Sequence, residues 1–127
     1  HLMGFDLTNH GLKMVLDPAV PDTIGAHFEP MLKPFLEAHG KKLEDVQHLI
    51  FHPGGRKIVQ TVESLFEGQE ADLTDTKEVL RRYGNMSSAT VLYVLQRFLA
   101  EEPRSGSLGL MLSFGPGFTA QRVLLEF

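Results

Sequence analysis

Three short segments of the sequence contain residue types that could take part in catalysis. Residues 52–55 (His-Pro-Gly-Gly) place an imidazole before two glycines, whose lack of a side chain lets a ligand approach the backbone closely. Residues 83–89 (Tyr-Gly-Asn-Met-Ser-Ser-Ala) contain the neutral carboxamide of Asn85. An imidazole and a carboxamide can both donate N–H groups to an oxygen that gains negative charge during a reaction. The third segment, residues 114–119 (Phe-Gly-Pro-Gly-Phe-Thr), is a glycine-rich turn between two apolar stretches.

Each of these features also has a purely structural interpretation. A histidine that ends an apolar strand is more often a structural residue than a catalytic one. Asn85 and Ser87 precede an apolar helix, and both residue types commonly cap a first helical turn. His48 and His52 are four residues apart, but they flank a predicted strand in which four residues span roughly 13 Å, too far for one metal ion. No metal site is therefore predicted, and the structural interpretations of His52 and Asn85 stay open.

The apolar periodicity predicts the elements that must position the three segments. Strands are indicated at residues 12–16, 46–51, 108–114 and 119–127, and the last two form a hairpin. Helices are indicated at residues 21–40, 58–66, 76–82 and 88–99. Pro30 and Pro34 lie within the first helix, and we expect them to kink it or divide it in two. The order of elements predicts an α/β layered domain, with a mixed sheet that ends in an antiparallel hairpin.

The predicted helix at residues 88–99 is apolar on nearly every side. Such a helix is expected to be buried all round its circumference. A single sheet of four strands covers only one face of a helix, so a second packing partner is expected as well. Because Val91, Leu95 and Phe98 would otherwise be bare, we expect the chain to associate with a second copy.

Length and composition limit the classes of function. The 127 residues contain no cysteine, which excludes a disulfide scaffold, a thiolate zinc site and an acyl intermediate on this chain's own thiol. With 12 Lys and Arg against 16 Asp and Glu, the net charge of −4 argues against nucleic-acid binding. No membrane span or signal segment is apparent, so a soluble, cytoplasmic domain is expected. Residues 1–10 are interpreted as a cloning remnant and lead-in, and residues 11–127 as one domain.

The order of the three segments resembles the C-terminal half of type III polyketide synthases, the chalcone synthase-like enzymes of the thiolase superfamily. The resemblance extends from about residue 11 to residue 127. Ketoacyl synthase III-like enzymes share the Gly-Asn element, but they usually have His-Gln-Ala-Asn in place of residues 52–55 and three glycines in place of residues 115–117. The resemblance implies the C-terminal αβαβα half of the thiolase fold, a mixed sheet flanked by helices.

The resemblance also implies roles for individual residues. In the family a Cys, a His and an Asn form the catalytic site; His52 and Asn85 match the last two, and the Cys belongs to the N-terminal half. Residues that match substrate-binding positions are Met14, at the place of a bulky gatekeeper, together with Ser87, Phe114, Gly115 and Pro116. Gly54 and Gly55 match positions beside the coenzyme A arm.

The implied reaction is a decarboxylative condensation of malonyl-coenzyme A onto a starter acyl-coenzyme A. No cofactor is implied, since the coenzyme A thioesters are substrates. The implied partners are the N-terminal half that carries the Cys and a second copy in a homodimer. This chain by itself is predicted to be inactive. Two alternatives remain, namely a ketoacyl synthase III-like enzyme of fatty-acid initiation and a non-catalytic binding or dimerisation module.

Overall fold

A computed structural model describes residues 2–116 and 118–127. The strands are β1 (Met3–Thr8), β2 (Gly11–Leu16), β3 (His48–Phe51), β4 (Leu108–Gly115) and β5 (Thr119–Glu126). The helices are α1 (Val20–Ala38), α2 (Arg56–Leu65), α3 (Thr74–Tyr83) and α4 (Ala89–Ala100), with a short 3-10 helix at Leu43–Asp45. The predicted α/β class and all four helices are confirmed.

The main sheet has three strands in the order β3-β4-β5. β3 pairs with β4 in parallel, with Phe51 opposite Leu112, and β4 pairs with β5 antiparallel. This is the predicted mixed sheet with a terminal antiparallel hairpin. Its predicted size of four strands is wrong, because β2 pairs with β1 in a separate two-stranded sheet.

Helices cover both faces of the main sheet, and the alternation of side chains along the strands explains why. Leu49 and Phe51 point into the larger apolar cluster with α1 and α2, whereas Ile50 between them packs with α3 and α4. A strand that is buried on both faces needs a continuous apolar run, and β3 has one in Leu-Ile-Phe. The layered arrangement therefore follows from the apolar run of β3.

The first helix differs from expectation. α1 is one continuous helix of 19 residues that includes Pro30 and Pro34, so it is not divided in two. Its buried residues recur every four positions, at Val20, Ile24, Phe28, Leu32 and Leu36. Each proline removes only one backbone hydrogen bond, and the packing of this apolar stripe is sufficient to keep the helix intact.

The β1–β2 hairpin contains the predicted strand at residues 12–16, pairs it with a strand inside the expected lead-in, and has one apolar face. Cross-strand pairs on that face are Met3 with Leu16, Phe5 with Met14 and Leu7 with Leu12. Leu7 is 85 % exposed and Leu12 is 72 % exposed. We call these six side chains the hairpin face. A two-stranded ribbon gains little stability by itself, and an exposed apolar face of this kind indicates a packing partner.

The burial of α4 was predicted wrongly. Only Thr90, Val94 and Phe98 are buried, and they form one stripe along the side that faces the sheet. Leu92, Tyr93 and Leu99 on the other side are exposed by 41–59 %. The chain supplies one layer of packing for α4 and leaves a second apolar side uncovered. Among the described residues, no helix is long and apolar enough to cross a membrane.

Candidate active site

His52 lies at the carboxyl edge of the main sheet, directly after β3. Its backbone N–H donates to the carbonyl of Leu112 on the parallel strand β4, at 2.9 Å. The carboxyl ends of parallel strands meet at one edge of a sheet, which is where ligands of open α/β folds bind. The third predicted segment therefore reaches the same edge, because Phe114 lies two residues beyond Leu112.

Aromatic contacts hold the end of β4 against that edge. The Phe114 ring lies 5.7 Å from the Phe51 ring in an edge-to-face arrangement and 5.6 Å from the Phe118 ring in a stacked one. Phe114 and Gly115 are partly buried and Pro116 is exposed. Gly117 lies outside the described residues. Phe114 at the end of β4 is thus fixed at the same edge of the sheet that His52 reaches.

Contacts along α4 show how this helix lies on the sheet. Near its carboxyl end, the Phe98 ring is 4.6 Å from the ring of His48, the first residue of β3. One turn earlier, Val94 packs in the same cluster as Ile50 in the middle of β3. The helix therefore runs antiparallel to β3.

This direction brings the Asn85 segment to the edge where His52 lies. The eight helical residues from Phe98 back to Thr90 rise about 12 Å, and the four strand residues from His48 to His52 rise about 13 Å, so Thr90 on α4 is level with His52. Residues 84–88 immediately precede α4 and continue beyond Thr90 in the same direction. Two segments predicted to form one site, residues 52–55 and 83–89, thus meet at one end of the sheet.

Asn85 is exposed, and its carboxamide is oriented by the loop. The carboxamide oxygen accepts a hydrogen bond from the backbone N–H of Ser87 at 2.9 Å. Only the oxygen can accept, so the amide NH₂ of Asn85 points away from this turn and can donate to a ligand. The structural interpretation is correct in that Asn85 stabilises the loop before α4, and the same contact leaves its donor group available.

Burial controls the protonation of His52. Desolvation lowers the pKa of the imidazole below its ordinary value, so the ring is neutral at pH 7. Its Nδ1 is enclosed without a hydrogen-bond partner among the described residues. Nε2 is then the nitrogen that can reach a ligand at the sheet edge, and as the Nε2–H tautomer it is a neutral hydrogen-bond donor.

The lowered pKa of His52 predicts a pH dependence of stability. Because the unfolded chain binds a proton more readily, the unfolding free energy falls as pH decreases below about 6.5. His52→Gln removes this contribution, so we expect the variant to gain stability relative to the parent chain between pH 7.5 and pH 5.5. Urea denaturation at both pH values measures the difference in unfolding free energy, and an unchanged difference would contradict a neutral, partly buried His52.

The glycines after His52 allow the chain to turn sharply into α2. Gly55 has φ +145°, which L side chains rarely adopt, and it immediately precedes the helix. A Cβ on Gly54 would lie 3.1 Å from the Ile58 side chain. The turn leaves backbone N–H groups at the start of α2 beside His52.

Two predicted pocket residues have different placements. Ser87 belongs to the Asn85 loop, is exposed, and has a left-handed backbone with φ +59°. Met14 lies on the hairpin face, 56 % exposed, and belongs to the separate two-stranded sheet rather than to the edge where His52 lies. The structure therefore brings the segments that contain His52, Asn85, Ser87 and Phe114 to one edge of the main sheet, whereas Met14 belongs to the other sheet.

Comparison with known proteins decides the family. The profile described as "Chalcone and stilbene synthases, C-terminal domain" matches residues 1–127. This chain belongs to the chalcone and stilbene synthase family. It is 36 % identical to 1,3,6,8-tetrahydroxynaphthalene synthase of Streptomyces peucetius subsp. caesius over 100 % of the chain and 34 % of that protein. A "Putative chalcone synthase" of Bacillus subtilis is 30 % identical over 99 % of the chain and 35 % of its own length.

Solved structures of the chalcone and stilbene synthase family share the fold. The crystal structure of 1,3,6,8-tetrahydroxynaphthalene synthase from Streptomyces coelicolor A3(2), a bacterial type III polyketide synthase, superposes with a TM-score of 0.85 at 32 % identity. The match covers 97 % of the chain and 35 % of that structure. The expectation of the C-terminal half of a type III polyketide synthase fold is confirmed, and the chain spans about a third of the length of the curated relatives it matches.

Proposed function

We propose that the full-length protein condenses malonyl-coenzyme A with a starter acyl-coenzyme A, with loss of CO₂, and that His52 and Asn85 act in this step. The observation that supports the proposal is the meeting of these two donors at one edge of the sheet, in a chain of a polyketide synthase family. The starter acyl group would move from coenzyme A to a cysteine elsewhere in the enzyme, since this chain has none.

The chemistry needs two neutral donors at one oxygen. When malonyl-coenzyme A loses CO₂, the electron pair of the broken C–C bond forms an enolate, and negative charge develops on the thioester oxygen. His52 Nε2–H and the Asn85 NH₂ can hold that oxygen without giving up a proton. The enolate carbon then attacks the cysteine-bound thioester, a new C–C bond forms, and the cysteine sulfur leaves.

His52 has a second proposed role beside the nucleophile. An imidazolium next to a cysteine thiolate lowers the thiol pKa. Burial in this chain favours the neutral ring, so formation of the ion pair depends on the thiolate itself. We therefore assign the neutral ring to the condensation step and the charged ring only to the resting pair with the cysteine.

The remaining predicted residues are proposed to bind the substrates. Gly54 and Gly55 precede the amino end of α2, where N–H groups and the exposed Arg56 and Lys57 suit the phosphates of coenzyme A. Ser87 and residues 114–116 would line the acyl pocket at the sheet edge. Met14, on the hairpin face, would contribute to this pocket in the full-length enzyme.

The N-terminal half of the enzyme is the proposed partner of two surfaces. The hairpin face and the outer side of α4 are apolar and uncovered in this chain. Extended exposed apolar surfaces are uncommon on monomers and indicate a packing partner. In this proposal, a part of the full-length protein that corresponds to the rest of the relatives' length supplies both the nucleophile and the cover for these surfaces.

A direct test compares the isolated chain with the full-length enzyme. We expect the isolated chain to release no CO₂ from labelled malonyl-coenzyme A above background and to form no labelled polyketide, because it has no thiol. The full-length protein should do both. Product from the isolated chain would overturn the proposed mechanism, and an inactive but folded full-length protein would favour the non-catalytic module.

A further inference from the structure

Two buried threonines hold the peptide groups next to the two proposed catalytic residues. Thr76 and Thr90 each have 0 % exposure. A buried hydroxyl costs free energy unless it is hydrogen-bonded, and valine would fill the same volume without that cost. The positions of the hydroxyl bonds therefore indicate what these residues contribute beyond packing.

Thr76 fixes the peptide group that leads into His52. Its Oγ1 donates to the carbonyl oxygen of Phe51 at 3.0 Å, across 25 positions of sequence. The N–H of the same peptide group belongs to His52, and it donates to Leu112 on β4 at 2.9 Å. One peptide plane is thus held on one side by α3 and on the other by β4. Since that plane precedes the Cα of His52, it sets the direction in which the imidazole leaves the backbone.

Thr90 performs the equivalent task for Asn85. The peptide group after Asn85 carries the N–H of Met86, which donates to Thr90 Oγ1 at 2.8 Å. Thr90 lies on the buried stripe of α4 with Val94 and Phe98, so its hydroxyl is anchored by the core. The Asn85 carboxamide is fixed in turn by the Ser87 N–H. The donor group of Asn85 is therefore oriented by two hydrogen bonds, one to Thr90 on α4 and one within the loop, from Ser87.

We propose that Thr76 and Thr90 are positioning residues, which act through His52 and Asn85 respectively; this inference rests on the proposed function. Neither threonine touches the reacting atoms. A displacement of about 1 Å at a catalytic group can lower a rate by about a hundredfold. Loss of either hydroxyl therefore lowers turnover out of proportion to its effect on folding.

The test uses Thr76→Val and Thr90→Val in the full-length enzyme, with Thr61→Val as the matched control. Thr61 also has a hydroxyl hydrogen bond, but its acceptor is the Lys57 carbonyl of its own helix. We expect kcat for condensation to fall about ten- to a hundredfold in the two variants, with KM for malonyl-coenzyme A changed less than threefold. Thr61→Val should keep the parent kcat, and Thr76→Ser and Thr90→Ser should restore most of the lost rate.

Acylation of the nucleophile separates the two roles. Thr76→Val should slow both acylation and condensation, because His52 takes part in both, whereas Thr90→Val should slow condensation alone. Equal kcat in Thr76→Val, Thr90→Val and Thr61→Val would overturn the inference. So would a loss of rate that follows the folded fraction and that serine does not restore.

A structural measurement distinguishes failure of this inference from failure of the proposed function. Hydrogen exchange of the Met86 amide should become faster in Thr90→Val and stay slow in Thr90→Ser. Nitrogen-15 spectra of the His52 ring should shift in Thr76→Val and not in Thr61→Val. If these signals change but the enzyme makes no polyketide, the positioning is upheld and the reaction is wrong; if they do not change, the positioning is wrong.

Discussion

Substitution of His52 by alanine in the full-length enzyme is expected to lower the rate of condensation by about a hundredfold or more. One donor to a developing oxyanion is worth about 3–4 kcal/mol, or roughly 10²–10³ in rate. The fold should tolerate the change, since Nδ1 of His52 is enclosed without a partner among the described residues and its removal leaves no protein group unpaired. Release of labelled CO₂ and formation of labelled polyketide measure the rate of condensation, and thermal unfolding measures the stability of the variant.

Asn85→Ala should produce a similar loss in condensation but a smaller loss in acylation of the cysteine. The amide NH₂ contacts the malonyl oxygen in the proposed mechanism, whereas the nucleophile depends on His52. Single-turnover transfer of a labelled starter group measures the acylation step separately. Wild-type turnover in His52→Ala or in Asn85→Ala would show that the substituted residue is not part of the catalytic site.

His48→Ala is the matched control for the histidine substitution. His48 begins the strand that His52 follows, and its ring packs on Phe98 and Phe127 at the opposite edge of the sheet. Its Nε2 also lies 3.1 Å from the Ser107 hydroxyl. The control should therefore lower stability while the folded enzyme keeps its turnover. A comparable loss of turnover in His48→Ala would show that the effect of His52→Ala is not local.

The isolated chain is expected to self-associate as a twofold dimer. The reason is not a helix buried all round but the uncovered outer side of α4, where Leu92 is 59 % exposed and Leu99 is 47 % exposed. Each such side chain contributes about 1.5–3 kcal/mol when it is buried. In a twofold interface every side chain counts twice, which offsets the entropic cost of association.

Leu92→Lys is expected to weaken the dimer by at least about a hundredfold, because two leucines are lost and two charges face an apolar surface. Gln60→Lys, on the exposed side of α2, adds the same charge elsewhere and should leave the association unchanged. Sedimentation equilibrium from 1 to about 100 µM measures both dissociation constants. A parent chain that is monomeric throughout this range would refute the prediction.

Local patterns were sufficient to predict much of the main sheet and its glycine turns. The Leu-Ile-Phe run before residues 52–55 indicates β3, and the apolar stretches around residues 115–117 indicate the terminal hairpin. The resemblance to a known family added the pairing of His52 with Asn85. Neither residue type nor spacing alone would have brought them to one edge.

The remaining features depend on tertiary contacts, which periodicity does not record. Met3, Phe5 and Leu7 alternate as a strand should, but nothing local shows that β2 pairs with β1 instead of joining the main sheet. The burial of Thr76 also has no local signal, because its acceptor is 25 residues away. Thr90 could have been found, since it continues the four-residue spacing of Val94 and Phe98.

The parallel pairing of β3 with β4 also has consequences for how the protein folds. Gln47 and Leu108, which are bonded at the start of this pairing, are 61 positions apart, so the chain must close a long loop before the central strand is in place. Contacts between residues so far apart in the sequence slow folding. During synthesis, β3 and the three helices that follow it emerge before β4 exists. The carboxyl edge with His52 can therefore assemble only after β4 has left the ribosome, and until then β3 has an unpaired edge of the kind that promotes aggregation.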